Sequence, residues 1–451
     1  MHHSSKVMHG NAAHGLPRVG ASVALLLLGL WAVATLAREM PGIIRQIARP
    51  CAGCYLGAFG PPLVPYGRPF AHGDDPAPRV KTPPAEMDAR LSDDNRRDAQ
   101  PGGAKHWLVL NDASAGGQIS LFGAGAIGQN AAAVLALTDG GIAREIRAGD
   151  VGLRYASAVS QFRPAALSDH LMNPGPMTGD PGNPMPARSV PGFHFYPASN
   201  SAAAVLVDLP SGSRAAALGA DTPWNDTRRT ELAGYRGSEN AVLSITGHVP
   251  ATATRWIHGS IPYWHVAVQK DLERHFLQIG TYGLSASAAS GGAGTTDTFT
   301  DVAADASYQF IVNPGVVVSD ILSAHATVIH EVRSLGASNR ILGANGFDTL
   351  DTFRANASWS IADAVTTSMQ YFRTAGSVEA VRYAWPGGRP NSVGIIAEVA
   401  YVPWGMPESP LRSLNLRFAA QYVAYTQLNG TERGASGNNA VYLTLWGALR
   451  F

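Results

Sequence analysis

The chain has 451 residues, of which 45% are hydrophobic and 15% charged, and its formal net charge is +1. The near-neutral balance gives no reason to expect a nucleic acid as a partner. A low charged fraction without long apolar helical runs is typical of strands that face lipid on one side and water on the other, and not of a water-soluble enzyme.

Residues 1–37 have the pattern of a secretory signal peptide. Lys6 and Arg18 precede the apolar run Ala21–Ala37, which closes with small residues at the positions of a cleavage site. The alternative is a permanent membrane anchor, but the run is near the lower length limit for a spanning helix and no second run of that length follows. Export without internal membrane helices predicts a route to the outer membrane of a Gram-negative cell.

Residues 38–100 differ from the rest of the chain in composition. They are rich in Pro, Arg and Asp, show little periodicity and contain both cysteines, Cys51 and Cys54. We expect a short irregular segment at or inside the periplasmic opening of a barrel, followed by a disordered linker through Asp74–Gln100.

Residues 101–451 contain many short stretches in which apolar and polar residues alternate, which is the period of a strand. About fourteen strands are predicted, and closure into a barrel favours an even number between roughly twelve and sixteen. A long loop is predicted over Pro164–Asn200, on the outer side of the membrane. The predicted strands are Lys105–Leu110, Gln118–Ala126, Ala131–Thr138, Asp150–Ser157, Ala202–Asp208, Ala241–His248, Ile261–Lys270, His275–Ser285, Val302–Ile311, Ile321–Val332, Thr349–Ile361, Val365–Arg373, Ser392–Pro403 and a final pair within Leu411–Phe451.

The predicted fold class is therefore all-β, an antiparallel outer-membrane barrel whose outer face meets lipid. Alternation is clear where Phe353, Ala355, Ala357, Trp359 and Ile361 interleave with polar residues. The apolar strand that ends at Phe451 is expected to pair with the first strand, since an exposed edge would be prone to aggregation. A soluble two-sheet protein is the alternative. The residues expected to line a wet lumen are Asp305, Gln309, Glu331, Arg354, Glu398 and Arg417.

A G-x-G-x-x-G motif at Gly123–Gly128 has two interpretations. It matches the phosphate-binding turn of a dinucleotide-binding unit, with Glu145 near a ribose. No alternating strand–helix pattern follows it, however, and the chain is exported. Two adjacent strands joined by a glycine-rich turn are the preferred interpretation.

No residue set indicates an enzyme. His325 and His330 are five apart and would face opposite sides of a strand, so they cannot share a metal. His258 and His265 flank aromatic residues and are interpreted as part of an interfacial aromatic girdle. Asp305 and Glu398 would tune ion selectivity or serve as ordinary polar lining.

The two cysteines form Cys51-Ala-Gly-Cys54, followed by Tyr55. In an exported protein a C-x-x-C is a disulfide, half a metal site or the two thioether anchors of a c-type haem, which normally needs His as the next residue.

In these motifs the chain resembles a family of Gram-negative outer-membrane β-barrel proteins that carry one c-type haem motif just after the signal peptide. Their C-x-x-C-H is followed by a Pro-x-Leu-x-Pro-[FY]-Gly-Arg-x-Phe stretch, which Pro62–Phe70 matches in part. Further matches occur in the same order in the barrel, at Tyr371–Ser377, Ala397–Trp404, Leu416–Gly430 and Asn438–Leu443.

The resemblance implies a haem at the periplasmic mouth and electron exchange with periplasmic electron-transfer proteins. Cys51 and Cys54 would be the thioether anchors. Tyr55 replaces the expected proximal His, and His72 would be a substitute ligand. Two hypotheses follow: a haem-bearing electron-transfer conduit, or a porin-like or structural envelope protein that has lost the haem and has its cysteines joined in a disulfide. Because of Tyr55, we favour the second.

Overall fold

The computed structural model describes residues 85–96, 118–126, 131–139, 146–156, 161–168, 205–206, 215–224, 227–237, 255–258, 260–290, 296–313, 319–362, 364–383, 387–403 and 414–450. Side chains are described mainly from Ser260 onwards. No helix in these ranges is both long and apolar enough to cross a membrane.

A single antiparallel sheet of 17 strands dominates the described chain. The described parts of its connections include helix α1 (Gly336–Leu342) and a 3-10 turn (Ala435–Asn438). The strands are β1 (Ala85–Arg96), β2 (Gln118–Ala126), β3 (Ala131–Asp139), β4 (Ile146–Ala156), β5 (Gln161–Ser168), β6 (Ala215–Trp224), β7 (Arg228–Gly237), β8 (Arg255–His258), β9 (Ser260–Leu272), β10 (His275–Ser290), β11 (Thr296–Ile311), β12 (Ile321–Leu335), β13 (Phe347–Ile361), β14 (Val365–Gly376), β15 (Ser392–Tyr401), β16 (Leu414–Gln427) and β17 (Ala440–Arg450).

The sheet closes on itself. β1 pairs with β2 on one side and with β17 on the other, so that Met87 stands opposite both Leu121 and Leu449. β8 and β9 both pair with β10 and are two parts of one interrupted strand. We count them as one strand position, or stave, so that the cylinder has sixteen staves. The predicted all-β antiparallel barrel is confirmed, at the upper end of the predicted range of strand number. Every described strand except the short β8 is paired on both sides, as a membrane-spanning sheet requires.

Side chains alternate between the two faces of the cylinder. On β13, Phe353 and Trp359 are 39% and 49% exposed on the outside, whereas Ser358 and Ser360 are buried on the inside. The outer face carries a belt of exposed apolar side chains because only lipid tails can cover them without free-energy cost. This belt includes Val266, Val268, Leu277, Ile279, Val302, Leu322, Val328, Met369, Tyr371, Val399, Phe418, Tyr422, Val441 and Leu443.

The two ends of the barrel have different connections. At the end where β1 starts and β17 finishes, most connections are short, such as Glu273–Arg274 and 362–364, and 402–413 is the longest. At the opposite end the connections are longer, including 169–214, 336–346 and 377–391. We call these the turn end and the loop end.

Several predicted strand boundaries need correction. The disordered linker predicted over Asp74–Gln100 is wrong in part, because β1 lies within it. In the sequence, apolar and charged residues alternate along β1, and its many charges concealed this period. β6 and β7 were missed because they are rich in Ala and Gly and poor in the β-branched residues typical of strands. β5 extends into the predicted loop Pro164–Asn200.

Other predictions fall on or near the N-terminal half of the sheet. β2 and β3 are adjacent antiparallel strands, as the preferred interpretation of the glycine motif predicted. Gly123 and Gly125 lie within β2 and not in a turn, and Gly128 lies outside the described ranges. Val205 and Leu206, within the predicted strand Ala202–Asp208, are not in a strand. The predicted strands Lys105–Leu110 and Ala241–His248 lie outside the described residues.

Candidate functional site

The inward face of β9–β16, which we call the inner wall, is the candidate functional site. It is polar, although its residues are buried. Asp305, Gln309, Glu331, Glu398 and Arg417 lie on it, as predicted, and Arg354 is half-buried on the same face. The other buried polar residues of the inner wall include His265, Gln278, Asp301, Ser307, Ser323, His325, Thr327, Arg333, Thr352, Asn356, Ser358, Ser360, Thr366, Ser368, Gln370 and Gln421.

The burial of these side chains indicates whether the lumen is open to water. Glu331 and Gln370 are both 0% exposed, although they point into the barrel. Residues that line an open water-filled cylinder would be in contact with water. In this conformation the lumen is therefore not open along the inner wall.

A chain segment from another part of the barrel contacts the inner wall near the loop end. The main-chain N–H of Leu206 donates a hydrogen bond of 2.5 Å to the Glu331 carboxylate, and both Val205 and Leu206 are 0% exposed. Leu206 belongs to the connection between β5 and β6, and four staves separate β6 from β12 in the sheet. Val205 and Leu206 therefore lie inside the barrel.

Arg333 ties the same carboxylate to a second connection. Its Nε donates a hydrogen bond to Glu331, two residues away on the same face of β12, and its Nη1 donates to the Tyr383 hydroxyl at 2.8 Å. Tyr383 lies in the connection between β14 and β15. Burial raises the pKa of its phenol, which keeps the hydroxyl neutral and able to accept the bond from Arg333.

Helix α1 lies in a neighbouring connection of the loop end and is hydrogen-bonded to the inner wall. The Asp297 carboxylate accepts hydrogen bonds from the main-chain N–H of Ser338 at 2.9 Å and from its hydroxyl at 2.5 Å. The Arg382 guanidinium lies 5.9 Å from the centre of the Phe299 ring, within the range of a cation–π contact. Three connections are thus fixed to the inner wall at this end.

Further down the wall, two histidines flank an aspartate. His265 Nε2 lies 3.3 Å from Asp305 Oδ1, and both side chains are fully buried. His265 is on β9 and Asp305 on β11, and they meet over Gly280 of the intervening strand. A Cβ atom on Gly280 would lie 2.6 Å from the His265 ring and 2.8 Å from the carboxylate. On β12, His325 Nδ1 is hydrogen-bonded to Ser307 Oγ at 2.7 Å.

The inward position of His265 corrects the sequence interpretation. It was assigned to an aromatic girdle on the outside, but it faces the interior, as does the buried Tyr263. The aromatic residues next to it in the sequence suggested a position at the membrane interface. In a strand, however, the face on which a side chain lies is set by whether its position is odd or even. The side chain of His258 lies outside the described residues.

The neighbouring strands β13 and β14 carry mainly uncharged polar residues beside Arg354. Asn356 and Gln370 are directly paired across the two strands and both are buried. Close by, Ser323 and Ser358 share a hydrogen bond of 2.6 Å.

Nearer the turn end, β15 and β16 carry a buried ion pair. Arg417 Nη2 donates a hydrogen bond to Glu398, and Gln421 Nε2 donates to the other carboxylate oxygen at 2.9 Å. Both charged side chains are 2% exposed. This arrangement satisfies the Glu398 carboxylate within the wall.

The residues predicted to hold a cofactor cannot be placed. Cys51, Cys54, Tyr55 and His72 lie outside the described ranges. Within those ranges, no group of three or more His, Cys, Asp or Glu side chains has the arrangement of a metal site. The prediction that His325 and His330 are on opposite faces is confirmed: His325 is buried inside, whereas His330 is 51% exposed outside, 2.7 Å from Asp351.

Sequence reasoning missed Arg333 and Gln370 of the inner wall, and Tyr383 in the connection that contacts it. For all of these residues except Tyr383, the face of the strand on which the side chain lies could be predicted from the alternation. Their hydrogen-bond partners could not, because those depend on the pairing register and on the path of the connections.

Comparisons with known proteins add a general likeness of fold. No protein-family model and no curated protein matches the chain. Among solved structures, the outer-membrane channel DcaP of Acinetobacter baumannii aligns with a TM-score of 0.46 at 10% identity, covering 82% of this chain and 96% of that one. An anion-selective porin from Comamonas acidovorans aligns with a TM-score of 0.47 at 15% identity, covering 82% and 99%. OmpF of Salmonella typhi, in complex with daunomycin, gives 0.47 at 10% identity, covering 81% and 97%. Scores and identities this low support no inference about substrate.

Proposed function

We propose that this chain is a porin-like channel protein of the bacterial outer membrane, in which polar solutes cross through the barrel lumen. The main observation in support of this proposal is that the same strands present apolar side chains outside and polar side chains inside. On β13, for example, Trp359 is exposed outside while Asn356 and Ser358 line the interior. An apolar outside matches lipid, and a polar inside lowers the free energy of a hydrated solute in the lumen.

The lengths of the connections support an orientation. In outer-membrane barrels the periplasmic turns are short and the extracellular loops are long. By this rule the turn end faces the periplasm and the loop end faces the cell exterior. The contacts of Glu331 with Leu206 and of Arg333 with Tyr383 then lie near the external mouth.

The same contacts make the proposed channel narrow. Val205 and Leu206 occupy part of the interior against β12, and Glu331 holds them there through a charge-assisted hydrogen bond. Passage of a solute through the lumen then depends on the fraction of time for which Val205 and Leu206 stay bound to Glu331. A largely closed resting state with discrete openings is the expected behaviour.

Planar-bilayer recording of the purified, detergent-folded protein tests the channel function. The expected result is stepwise conductance after insertion, from preparations that show the heat-modifiable gel migration of folded barrels. Protein that migrates as a folded barrel and inserts into bilayers, but never conducts ions or releases a small trapped solute from vesicles, would instead favour a structural envelope role.

The second candidate is the haem-bearing electron-transfer conduit, and it depends on Cys51-x-x-Cys54 and on the motif resemblance that surrounds it. Tyr55 stands where that chemistry uses a His ligand. We therefore propose that haem has been lost from this chain, and a spectroscopic test is given in the Discussion.

A further inference from the structure

We propose that Asn356 and Gln370, which we call the amide pair, form a binding site in the lumen for a neutral, polyhydroxylated solute such as a sugar. This site depends on the channel function proposed above, because solvent does not reach either amide in this conformation and a solute contacts them only when the lumen opens.

The amide pair is positioned by the register of two strands. Asn356 on β13 and Gln370 on β14 are direct cross-strand partners, and both point inward. Opposite residues in an antiparallel pair have Cβ atoms about 4.5–5.5 Å apart. The two amide groups therefore present their polar atoms to the same small region of the lumen.

The hydrogen-bonding capacity of the amide pair is unused. The side-chain oxygen and nitrogen of Asn356 and of Gln370 are all buried without a hydrogen-bond partner. Buried polar groups in proteins are nearly always hydrogen-bonded, and an exception calls for an explanation such as a bound solute. Asn356 is 6% exposed and Gln370 is 0% exposed, so both meet that description.

Two hydroxyl groups extend the same surface. Ser368 Oγ, two residues from Gln370, and Thr352 Oγ1, four residues from Asn356, are also buried without a partner. All lie on the inward face of β13 and β14. By contrast, the nearby Ser323 and Ser358 hydroxyls are bonded to each other. We call Thr352, Asn356, Ser368 and Gln370 together the strip.

The chemistry of this strip favours a neutral solute. Each amide offers two N–H donors and one carbonyl acceptor, and a hydroxyl group of a sugar is both donor and acceptor. An ion entering the strip would lose hydration without gaining an opposite charge from an amide. Arg354 lies on the same face of β13, two residues from Asn356, but its side chain already has an interaction of its own. The carboxylate of Glu398, on the adjacent strand, is already occupied by Arg417 and Gln421.

Uptake of labelled solutes into proteoliposomes tests the site. The probes are D-glucose, gluconate and glucosamine, which are similar in size but neutral, anionic and cationic. The test variants are Asn356→Leu, Gln370→Met and the double variant. The matched control is Met369→Leu, on the outward face of β14, where the side chain is 54% exposed. Heat-modifiable migration establishes that each variant is folded.

The native protein is expected to take up glucose with saturation at increasing concentration. The double variant should raise the half-saturation concentration for glucose about tenfold, the effect of losing one to two neutral hydrogen bonds. Uptake of gluconate and glucosamine should not change, and Met369→Leu should behave as native. A variant that alters all three solutes equally, or native glucose uptake that never saturates, would overturn the site while leaving the channel in place. If no solute enters faster than into protein-free vesicles, the channel function itself fails.

Discussion

Leu206 donates its main-chain N–H to the carboxylate of Glu331 inside the barrel, although four staves separate β6 from β12. Glu331 also accepts a hydrogen bond from Arg333, which in turn bonds to Tyr383. One buried carboxylate therefore joins two connections of the loop end to the inner wall. The network predicts that the opening of the lumen is controlled at this point.

Replacing Glu331 by Gln should release the Leu206 segment. The amide accepts a weaker hydrogen bond than the carboxylate, and a bond to a charged group contributes about 1.5–3 kcal/mol. The balance between attached and released segment is expected to shift about tenfold or more toward release, seen as a higher open probability in planar bilayers. Glu398→Gln is the control, since Glu398 is also paired with an arginine but has no contact with Leu206. Equal conductance changes in both variants would contradict the assignment.

Arg417→Met should destabilise the barrel more than any exposed substitution on the same strand. The change leaves the Glu398 carboxylate buried with Gln421 as its remaining partner, and breaking such a pair typically costs about 3–5 kcal/mol. The readout is the temperature at which heat-modifiable migration is lost. The double variant Glu398→Leu/Arg417→Met should recover most of the loss, because no uncompensated charge remains. A double variant as unstable as the single one would show that the pair acts through packing alone.

Gly280→Ala should separate His265 from Asp305. The added methyl group would lie 2.6 Å from the imidazole and 2.8 Å from the carboxylate, well inside contact distance. The expected loss of stability is about 1–3 kcal/mol, as for other overpacked sites, measured by urea unfolding in detergent. Gly234→Ala is the matched control on β7, because a Cβ atom there has no neighbour within 4 Å. Similar losses in both variants would mean that the close approach of β9 and β11 is not responsible.

Cys51 and Cys54 are expected to form a disulfide rather than hold haem, since Tyr55 replaces the usual histidine ligand. Denatured protein should give no α-band in a pyridine haemochrome spectrum. Alkylation should find no free thiols before reduction and two after it. A clear α-band would restore the electron-transfer hypothesis and make His72 the first residue to test as a ligand.

The sequence predicted the C-terminal strands well and their contacts poorly. On β13, Phe353, Trp359 and Ile361 alternate with small polar residues, so both the strand and its faces were readable. β6 was not, because its alanines and glycine give little contrast between faces. The need to close the sheet predicted that the last strand pairs with the first, but β1, which fills that place, lies in the segment predicted to be a linker.

The contacts within the lumen depend on information that periodicity lacks. His265 reaches Asp305 only because the register places Gly280 between them. Leu206 meets Glu331 through the course of a long connection, which no local pattern encodes. Side-chain parity could therefore be predicted from sequence, whereas the partners across strands could not.

The central claim is that one face of each strand meets lipid and the other lines the lumen. Spin labels attached to single cysteines along β13, in a background with Cys51→Ser and Cys54→Ser, test it most directly in reconstituted bilayers. Oxygen collision rates should be high at positions 353, 355, 357 and 359 and low at 352, 354, 356 and 358, repeating every second residue. A profile without this two-residue repeat, or with its maxima on the polar positions, would contradict the barrel and the channel proposed from it.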